Sequence, residues 1–169
     1  MQTGGIREGD DRSAGARHRR RLRICLVSSV GGHFRELLQL RPLYSAHGHF
    51  YVVNDRMEVS RGLDARMIRI THAEREWKQL INFVEAGSIL RRLRPDLIVT
   101  TGASPAVVFG LLARWFRIPV VYVEGSYAVQ RPTLTGWLVY HLRLAELFLY
   151  QWPALKRSYP RGTYAGLIY

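Results

Sequence analysis

The chain has 169 residues, of which 47% are apolar, so it is long and hydrophobic enough for one domain with a buried core and is not a disordered chain. Its formal net charge of +12 favours an anionic partner, such as a nucleic acid, an acidic lipid or a phosphorylated substrate. The single cysteine, Cys25, excludes an internal disulfide, and no apolar run reaches the roughly 18 residues of a membrane-spanning helix.

Taken in chain order, the sequence predicts strands that alternate with helices. Residues 1–21 are expected to form a disordered basic tail, and residues 22–169 a single domain. The predicted strands are the run from residue 22 that stops before Gly31, then 49–53, 67–71, 97–101, 119–123, 147–150 and 164–168. The predicted helices are 34–45, 77–93, 104–116 and 133–145, with a short helical piece from residue 151. This alternation predicts an α/β fold with a largely parallel sheet flanked by helices.

The first strand runs into a turn that combines two glycines with a histidine. Gly31 and Gly32 have no Cβ, so the backbone can turn sharply and a ligand can approach it closely. The following helix would direct free N–H groups at an anion, and His33 adds a histidine, the residue type most often used to carry protons in enzymes. The alternative is a plain tight turn in which His33 merely caps the helix.

Two further turns follow predicted buried strands. The three turns read Gly31-Gly32-His33, Thr101-Gly102-Ala103-Ser104 and Glu124-Gly125-Ser126. In a parallel sheet they would all lie outside the carboxyl ends of the strands, where ligands bind in open α/β sheets. Ser104 is followed by Pro105, which predicts that Ser104 is the N-cap of a helix. That role is compatible with a second one, as a donor to a bound phosphate.

Three blocks of sequence carry a resemblance to a known family. The blocks are Ser28–His33 with Glu36 and Leu40 beyond, Tyr122–Tyr127 followed by Thr133–Gly136, and Gln151-Trp152-Pro153 followed by Tyr159-Pro160 and Tyr164–Gly166. In this order they resemble the Alg14-like proteins, which include the bacterial PssD-type exopolysaccharide proteins, over residues 22–169. The family commonly has Glu-Ser where this chain has Glu124-Gly125-Ser126, and we match Arg131 to the basic residue expected shortly afterwards.

The resemblance implies one half of an enzyme. Alg14-like proteins are the N-terminal, Rossmann-like half of a split GT-B glycosyltransferase, and a separate Alg13-like or PssE-like chain supplies the half that binds the nucleotide sugar. The implied reaction transfers a sugar from a UDP-sugar to a polyprenyl-diphosphate-linked sugar, with inversion, at the cytoplasmic face of the cell membrane. The protein would associate with that membrane peripherally. We expect no metal and no cofactor, because the histidines are scattered and no Cys/His pair has zinc-ligand spacing.

An inverting transfer needs a base for the acceptor hydroxyl, and His33 is our first candidate. Glu124 is the second, as the base or as an orienting carboxylate, with a surface residue that caps a turn as the alternative. Glu36 is expected on the first helical turn, where its charge would complement the helix dipole. The residues expected to bind the acceptor diphosphate are Gly31, Gly32, Gly102, Ser104, Ser126 and Arg131.

Aromatic residues interleaved with arginines are typical of a membrane interface. The expected membrane contacts are Arg19, Arg20, Arg21, Arg114, Trp115, Arg117 and Trp137. The alternative is that most of the apolar residues in the two predicted helices that carry these aromatic residues, 107–116 and 134–145, pack on the sheet.

Three other functions stay open at this point. The chain could be a non-catalytic membrane scaffold that recruits and stimulates a PssE-like or Alg13-like catalytic chain. A nucleic-acid-binding module is suggested by charge alone, but no RRM, KH or zinc pattern supports it, and we expect no nucleic-acid partner. A complete nucleotide-sugar enzyme is disfavoured because 169 residues leave no room for a second comparable domain.

Overall fold

The computed structural model describes residues 20–29, 31–54, 67–71 and 76–168. The predicted tail therefore lies outside the described residues as far as residue 19. The strands are β1 (Arg23–Ser28), β2 (Gly48–Asn54), β3 (Met67–Ile70), β4 (Leu97–Thr100), β5 (Val120–Val123), β6 (Leu147–Tyr150) and β7 (Thr163–Tyr164). The helices are α1 (Gly32–Gln39), α2 (Arg41–Tyr44), α3 (Glu76–Leu93), α4 (Ser104–Phe116) and α5 (Leu134–His141), with a 3-10 helix at Pro153–Arg157.

The described strands form one sheet in the order β3-β2-β1-β4-β5-β6-β7, and every neighbouring pair is parallel. Strand β1 lies between β2 and β4, with Ile24 opposite His49 on one side and opposite Leu97 on the other. The chain order therefore reverses between β1 and β4, and such switch points are where open α/β sheets bind ligands. The predicted parallel α/β fold is confirmed.

The sheet separates two apolar layers. Cys25 and Val27 of β1 pack in the layer that contains α3 and α4, whereas Ile24 and Leu26 pack with α1 and α2. Because the central strands contribute side chains to both layers, they read as apolar runs without alternation. A third cluster under α5 is rich in aromatic rings, and Tyr159 is fully buried within it.

Three helices end in an arginine with left-handed backbone geometry. Arg94, Arg117 and Arg143 follow α3, α4 and α5 with φ of 43°, 57° and 53°. After α4, the N–H of Ile118 donates to the carbonyl of Ala113, and after α5 the N–H of Leu144 donates to the carbonyl of Val139. These six-to-one bonds satisfy carbonyls that the helix end leaves free, in a position where glycine is the usual residue.

Two predicted helices have different bounds in the structure. The predicted helix 34–45 begins earlier, at Gly32, and is divided at Leu40 into α1 and α2, because Pro42 fits the first turn of a new helix but not the interior of one. The predicted helix 133–145 ends at His141, because Arg143 turns left-handed. The last strand is also shorter than the predicted 164–168 and comprises only Thr163–Tyr164.

Candidate functional site

The three predicted turns lie side by side. Strands β1, β4 and β5 are neighbours in the sheet, and the turn after each of them leads into α1, α4 or α5. The side chain of Thr101 donates from Oγ1 to the carbonyl of His33 over 2.8 Å. The backbone N–H of Ser126 donates to Oε1 of Glu36 over 2.6 Å. Helix α1 is thus bonded to both of the other turns, which makes the three turns one structural unit.

The ring of His33 is half-buried and has a contact at each nitrogen. Its Nδ1 lies 2.8 Å from the carbonyl oxygen of Thr101, and its Nε2 lies 3.2 Å from the hydroxyl of Tyr127. A carbonyl oxygen only accepts, so in the neutral ring Nδ1 carries the proton and donates it to Thr101. Nε2 is then left with its lone pair and accepts from Tyr127. This is the tautomer that a base acting through Nε2 requires.

The glycines of these turns differ in the space around them. A Cβ on Gly31 or Gly32 would meet no heavy atom within 4 Å, so the surface over the first turn is open. Gly102 is buried with φ of +110°, and a Cβ there would lie 3.1 Å from Oη of Tyr122 and 3.3 Å from Cε1 of His33. Gly102 is therefore required both by its backbone geometry and by the position of the histidine ring.

Glu36 does not have the role that the sequence suggested. It was expected on the first turn of its helix, but α1 begins at Gly32 and places Glu36 on the second turn, buried at 7% exposure. Its Oε1 accepts from the N–H of Ser126, and its buried Oε2 has no hydrogen-bond partner among the described residues. Glu36 therefore holds the turn after β5 against α1. This role depends on a contact with a distant residue, and the position of Glu36 near a helix N-terminus does not indicate it.

Glu124 is fully buried, and its carboxylate is surrounded by protein donors. Oε2 accepts from the hydroxyl of Tyr159 over 2.8 Å, and Oε1 accepts from the N–H of Thr133 over 3.3 Å. Its backbone carbonyl accepts from Nε2 of Gln151 over 3.0 Å. The alternative of a surface residue at this position is wrong, because the end of β5 is covered by the segment that follows β6. These contacts give Glu124 the geometry of a positioning carboxylate rather than of a group facing a substrate.

The third sequence block meets the second block in space. Gln151 bonds to Glu124, and the indole Nε1 of Trp152 donates to the carbonyl of Ser126. Residues 151–159 thus contact the turn after β5 and help to hold it in place. Four residues of the family blocks have structural roles that the sequence pattern does not reveal: Tyr127, Gln151, Trp152 and Tyr159. Thr101 is likewise a partner of His33 that no local sequence signal indicates.

The residues predicted to bind the diphosphate lie around these three turns and differ in how far they are exposed to solvent. Ser104 is exposed at the first position of α4, and the N-cap is Ala103 with φ of 68°, so the prediction that Ser104 is the N-cap is wrong by one residue. Arg131 is exposed on the loop between β5 and α5. Ser126 is half-buried, and Glu36 occupies its backbone N–H. Ser104 and Arg131 are therefore the members of the set whose polar side chains are exposed, and Gly31 and Gly32 are exposed through their backbone.

The predicted membrane contacts lie toward two ends of the molecule, and Arg19 lies outside the described residues. Helix α4 runs from the carboxyl edge of the sheet toward the amino edge and spans about 20 Å. The residues at or near the amino edge are Arg20, Arg21, Arg114, Trp115 and Arg117. Arg20 is paired with Asp96 over 3.0 Å.

Most apolar residues of helices α4 and α5 are buried or half-buried, as the alternative expected, but the two tryptophans are exposed. Trp115 is 84% exposed at the end of α4, and Trp137 is 47% exposed on the first turn of α5, nearer the carboxyl edge. Leu134 beside it is 75% exposed.

Within the described residues, no helix has the length and apolar character needed to cross a bilayer. No group of three or more metal-ligating side chains was found among those same residues.

A family model described as "Oligosaccharide biosynthesis protein Alg14 like" matches residues 51–168, well over half of the chain. The chain belongs to the Alg14-like family. The matched range of this Alg14-like protein contains Gly102, Glu124 and Tyr127, whereas His33 lies before it.

Curated relatives of this Alg14-like chain cover nearly all of it. The UDP-N-acetylglucosamine transferase subunit ALG14 of Homo sapiens is 28% identical over 193 aligned residues, which cover 93% of this chain and 88% of the human protein. The protein of the same name from Rattus norvegicus is 26% identical and covers 89% of this chain and 84% of its own length.

Two solved structures share the fold of this Alg14-like chain. MurG of Acinetobacter baumannii superposes with a TM-score of 0.64 at 19% identity, covering 78% of this chain and 41% of MurG. The UDP-GlcNAc 2-epimerase of Methanocaldococcus jannaschii, in complex with UDP-GlcNAc and UDP, gives a TM-score of 0.66 at 13% identity. The match covers 83% of this chain and 43% of the epimerase. The chain thus spans about two-fifths of each of these structures. The likeness confirms the predicted Rossmann-like, GT-B-type fold.

The pH dependence of stability tests the role of Glu124. Burial raises the pKa of Glu124 above its ordinary value of 4.5 and outweighs the hydrogen bonds from Thr133 and Tyr159, which act in the opposite direction. The folded state therefore keeps the proton to higher pH than the unfolded state, and this group makes stability fall as pH rises above about 4.5. We expect the free energy of unfolding of Glu124→Gln, relative to wild type, to increase with pH across that window. Urea denaturation between pH 4 and 8 measures it, and a constant or falling difference would contradict the assignment.

Proposed function

We propose that this chain is the acceptor-binding subunit of a two-chain glycosyltransferase, peripherally associated with the cytoplasmic face of the cell membrane. In this proposal it takes part in polysaccharide biosynthesis by transferring a sugar from a UDP-sugar to a polyprenyl-diphosphate-linked sugar. The observation that carries the proposal is the fixed ring of His33. Its Nδ1 is held by the carbonyl of Thr101 at 2.8 Å, in a turn that opens to solvent over Gly31 and Gly32.

The chemistry of the site fits a base that acts on a hydroxyl. In an inverting transfer, the acceptor oxygen attacks the anomeric carbon while a base removes its proton and the nucleoside diphosphate leaves. His33 has the tautomer and the orientation for this role, and a base of this kind contributes roughly 10²–10⁴ in rate. Glu124 then acts indirectly, by keeping the turn after β5 in place.

The same edge of the sheet is suited to a diphosphate. The first turn of α1 offers backbone N–H groups beside two glycines that leave the approach open, and α4 begins with exposed Ser104. Arg131 extends from the neighbouring loop as the cation of the set. The formal charge of +12 favours both an anionic acceptor and an anionic lipid surface.

The need for a partner is supported by the names of the relatives. The curated relatives are named as subunits of a UDP-N-acetylglucosamine transferase. We propose that a PssE-like or Alg13-like chain supplies the donor-binding half and that the active site forms between the two chains.

The membrane contact can be measured directly. With exposed Trp115 and Trp137 and an excess of arginine, the protein is expected to sediment with vesicles that contain anionic lipid and to be released by salt. A Trp115→Ala/Trp137→Ala double variant should sediment less at the same salt concentration. Protein that stays in the supernatant at low salt would contradict the membrane contact without affecting the proposed reaction.

Reconstitution tests the proposed reaction. The chain should be co-expressed and purified with a PssE-like partner, then assayed with a polyprenyl-diphosphate-linked sugar and a panel of UDP-sugars. We expect transfer that requires both chains. Full transfer by the partner alone would overturn the proposal, and transfer that needs this chain but not His33 would favour a non-catalytic scaffold.

A further inference from the structure

The nitrogen that should act as the base is already occupied. Nε2 of His33 lies 3.2 Å from Oη of Tyr127, and the two rings meet edge to face with centroids 5.4 Å apart. While Tyr127 occupies this position, an acceptor hydroxyl cannot take the same place on Nε2. Either Tyr127 has to leave when the acceptor binds, or the proton reaches the histidine through Tyr127.

The surroundings of Tyr127 favour a side chain that stays in place. The residue before it is anchored twice, because the N–H of Ser126 donates to Glu36 and its carbonyl accepts from Trp152. The ring also lies against Gly125, where a Cβ would be only 2.4 Å from Cε1 of Tyr127. Gly125 is therefore the residue that leaves room for the ring to reach back toward His33.

The direction of the hydrogen bonds leaves the phenol oxygen able to accept. Thr101 fixes the proton of His33 on Nδ1, so Tyr127 must donate to Nε2. The lone pairs of Oη remain available to another donor, and Tyr127 is 59% exposed. A substrate hydroxyl can therefore donate to Oη, which completes a chain from the substrate through Tyr127 to His33.

We propose that Tyr127 is a catalytic relay that carries the proton of the acceptor hydroxyl to His33. This inference rests on the proposed function. As the acceptor oxygen uses its electron pair to attack the anomeric carbon, its proton passes to Oη of Tyr127. The original phenolic proton moves at the same time to Nε2 of His33. The bond from the anomeric carbon to the donor breaks, and its electron pair leaves with the nucleoside diphosphate. His33 ends as an imidazolium and Tyr127 as a neutral phenol.

The electrostatics require the two proton transfers to be concerted. Burial, together with the nearby carboxylates of Glu124 and Glu36, raises the pKa of Tyr127 to about 12. A free tyrosinate is therefore disfavoured, and the phenol can give up its proton only as it receives another.

Tyr127→Phe in the two-chain enzyme tests the relay. Phenylalanine keeps the ring against Gly125 but cannot pass a proton, so kcat should fall by about 100-fold, with the acceptor KM changed by less than about threefold. Tyr164→Phe is the matched control, since Tyr164 is an exposed tyrosine on β7 and should leave kcat unchanged. A double variant with His33→Asn should be no slower than His33→Asn alone, because the relay and the base act as one unit. A kcat of Tyr127→Phe equal to or above that of wild type would overturn the relay. Tyr127 would then be a residue that moves away from Nε2 when the acceptor binds.

A spectroscopic measurement separates the relay from the proposed function. In the full chain, the ¹⁵N resonances of the His33 ring should report the neutral tautomer with its proton on Nδ1. The Nε2 resonance should shift in Tyr127→Phe, whereas Nδ1 stays bonded to Thr101. If the chemical shift of Nε2 were the same in wild type and in Tyr127→Phe, the relay would be overturned whatever the enzyme assay shows. A wild-type pair without transfer activity would instead overturn the proposed function, and the relay with it.

Discussion

Replacing His33 with asparagine is expected to reduce sugar transfer by the proposed two-chain enzyme by about 10²–10⁴-fold. The amide nitrogen of asparagine can take the place of Nδ1 and donate to the carbonyl of Thr101, so the turn should keep its conformation. No basic nitrogen remains at the position of Nε2. The loss should therefore appear in kcat, measured at saturating acceptor and donor, while the unfolding temperature stays within a few degrees of wild type.

His47→Asn provides the matched control for this substitution. His47 precedes β2 at the opposite edge of the sheet, where its Nδ1 accepts from the N–H of Leu22 over 3.3 Å. Asparagine offers an acceptor there too, so the enzyme should keep its wild-type kcat. If His33→Asn kept activity within about threefold of wild type, the base would have to lie in the partner chain, and this chain would be the scaffold.

Gly136→Ala is expected to be the most destabilising conservative substitution in the support of the site. Gly136 lies on the first turn of α5, and a Cβ there would be 1.6 Å from Oε2 of Glu124 and 2.8 Å from Oη of Tyr159. The buried carboxylate would have to move away from its donors or the helix would have to shift. Strain of about 1–3 kcal/mol is typical of overpacking, and losing a hydrogen bond to a buried charge adds a similar amount. We expect a loss of about 3 kcal/mol or more in the free energy of unfolding.

Gly32→Ala is the control for Gly136→Ala, because it adds the same methyl group at a glycine that has free space around it. A Cβ on Gly32 meets nothing within 4 Å, and the residue has no positive φ, so stability should stay unchanged or rise slightly. If the acceptor diphosphate approaches this turn, the added methyl group should instead weaken acceptor binding and raise the KM for the acceptor. Equal unfolding free energies for the two alanine variants, measured by urea denaturation, would contradict the packing described around Glu124.

The fold could be predicted from the sequence because the apolar runs and glycine turns are local signals. β1, β4 and β5 read as buried strands, and their parallel arrangement brings the three turns to one edge. Helix ends were less predictable, because an arginine in the left-handed region, such as Arg143, gives no local sequence signal of the kind that glycine gives.

The partners within the site could not be predicted, because they join residues far apart in the chain. His33 bonds to Thr101, and Glu36 bonds to Ser126, across separations of 68 and 90 residues. A sequence pattern identifies which residue types can do chemistry, but burial decides what each one does. Glu124 illustrates this, since its position in a turn suggested an accessible carboxylate, whereas the segments that follow β5 and β6 enclose it.

The place of β1 in the sheet has a consequence for how the chain folds during synthesis. Ile24 pairs with Leu97, so the central strand meets its second neighbour only after more than 70 further residues have been added. Until then, one edge of an apolar strand stays unpaired, which exposes the nascent chain to aggregation. Because His33 and Thr101 follow β1 and β4, the contact between them cannot form before these two strands have paired. A chain that has formed the contact between His33 and Thr101 has therefore already paired its central strand with β4, so the proposed site forms only after this long-range pairing.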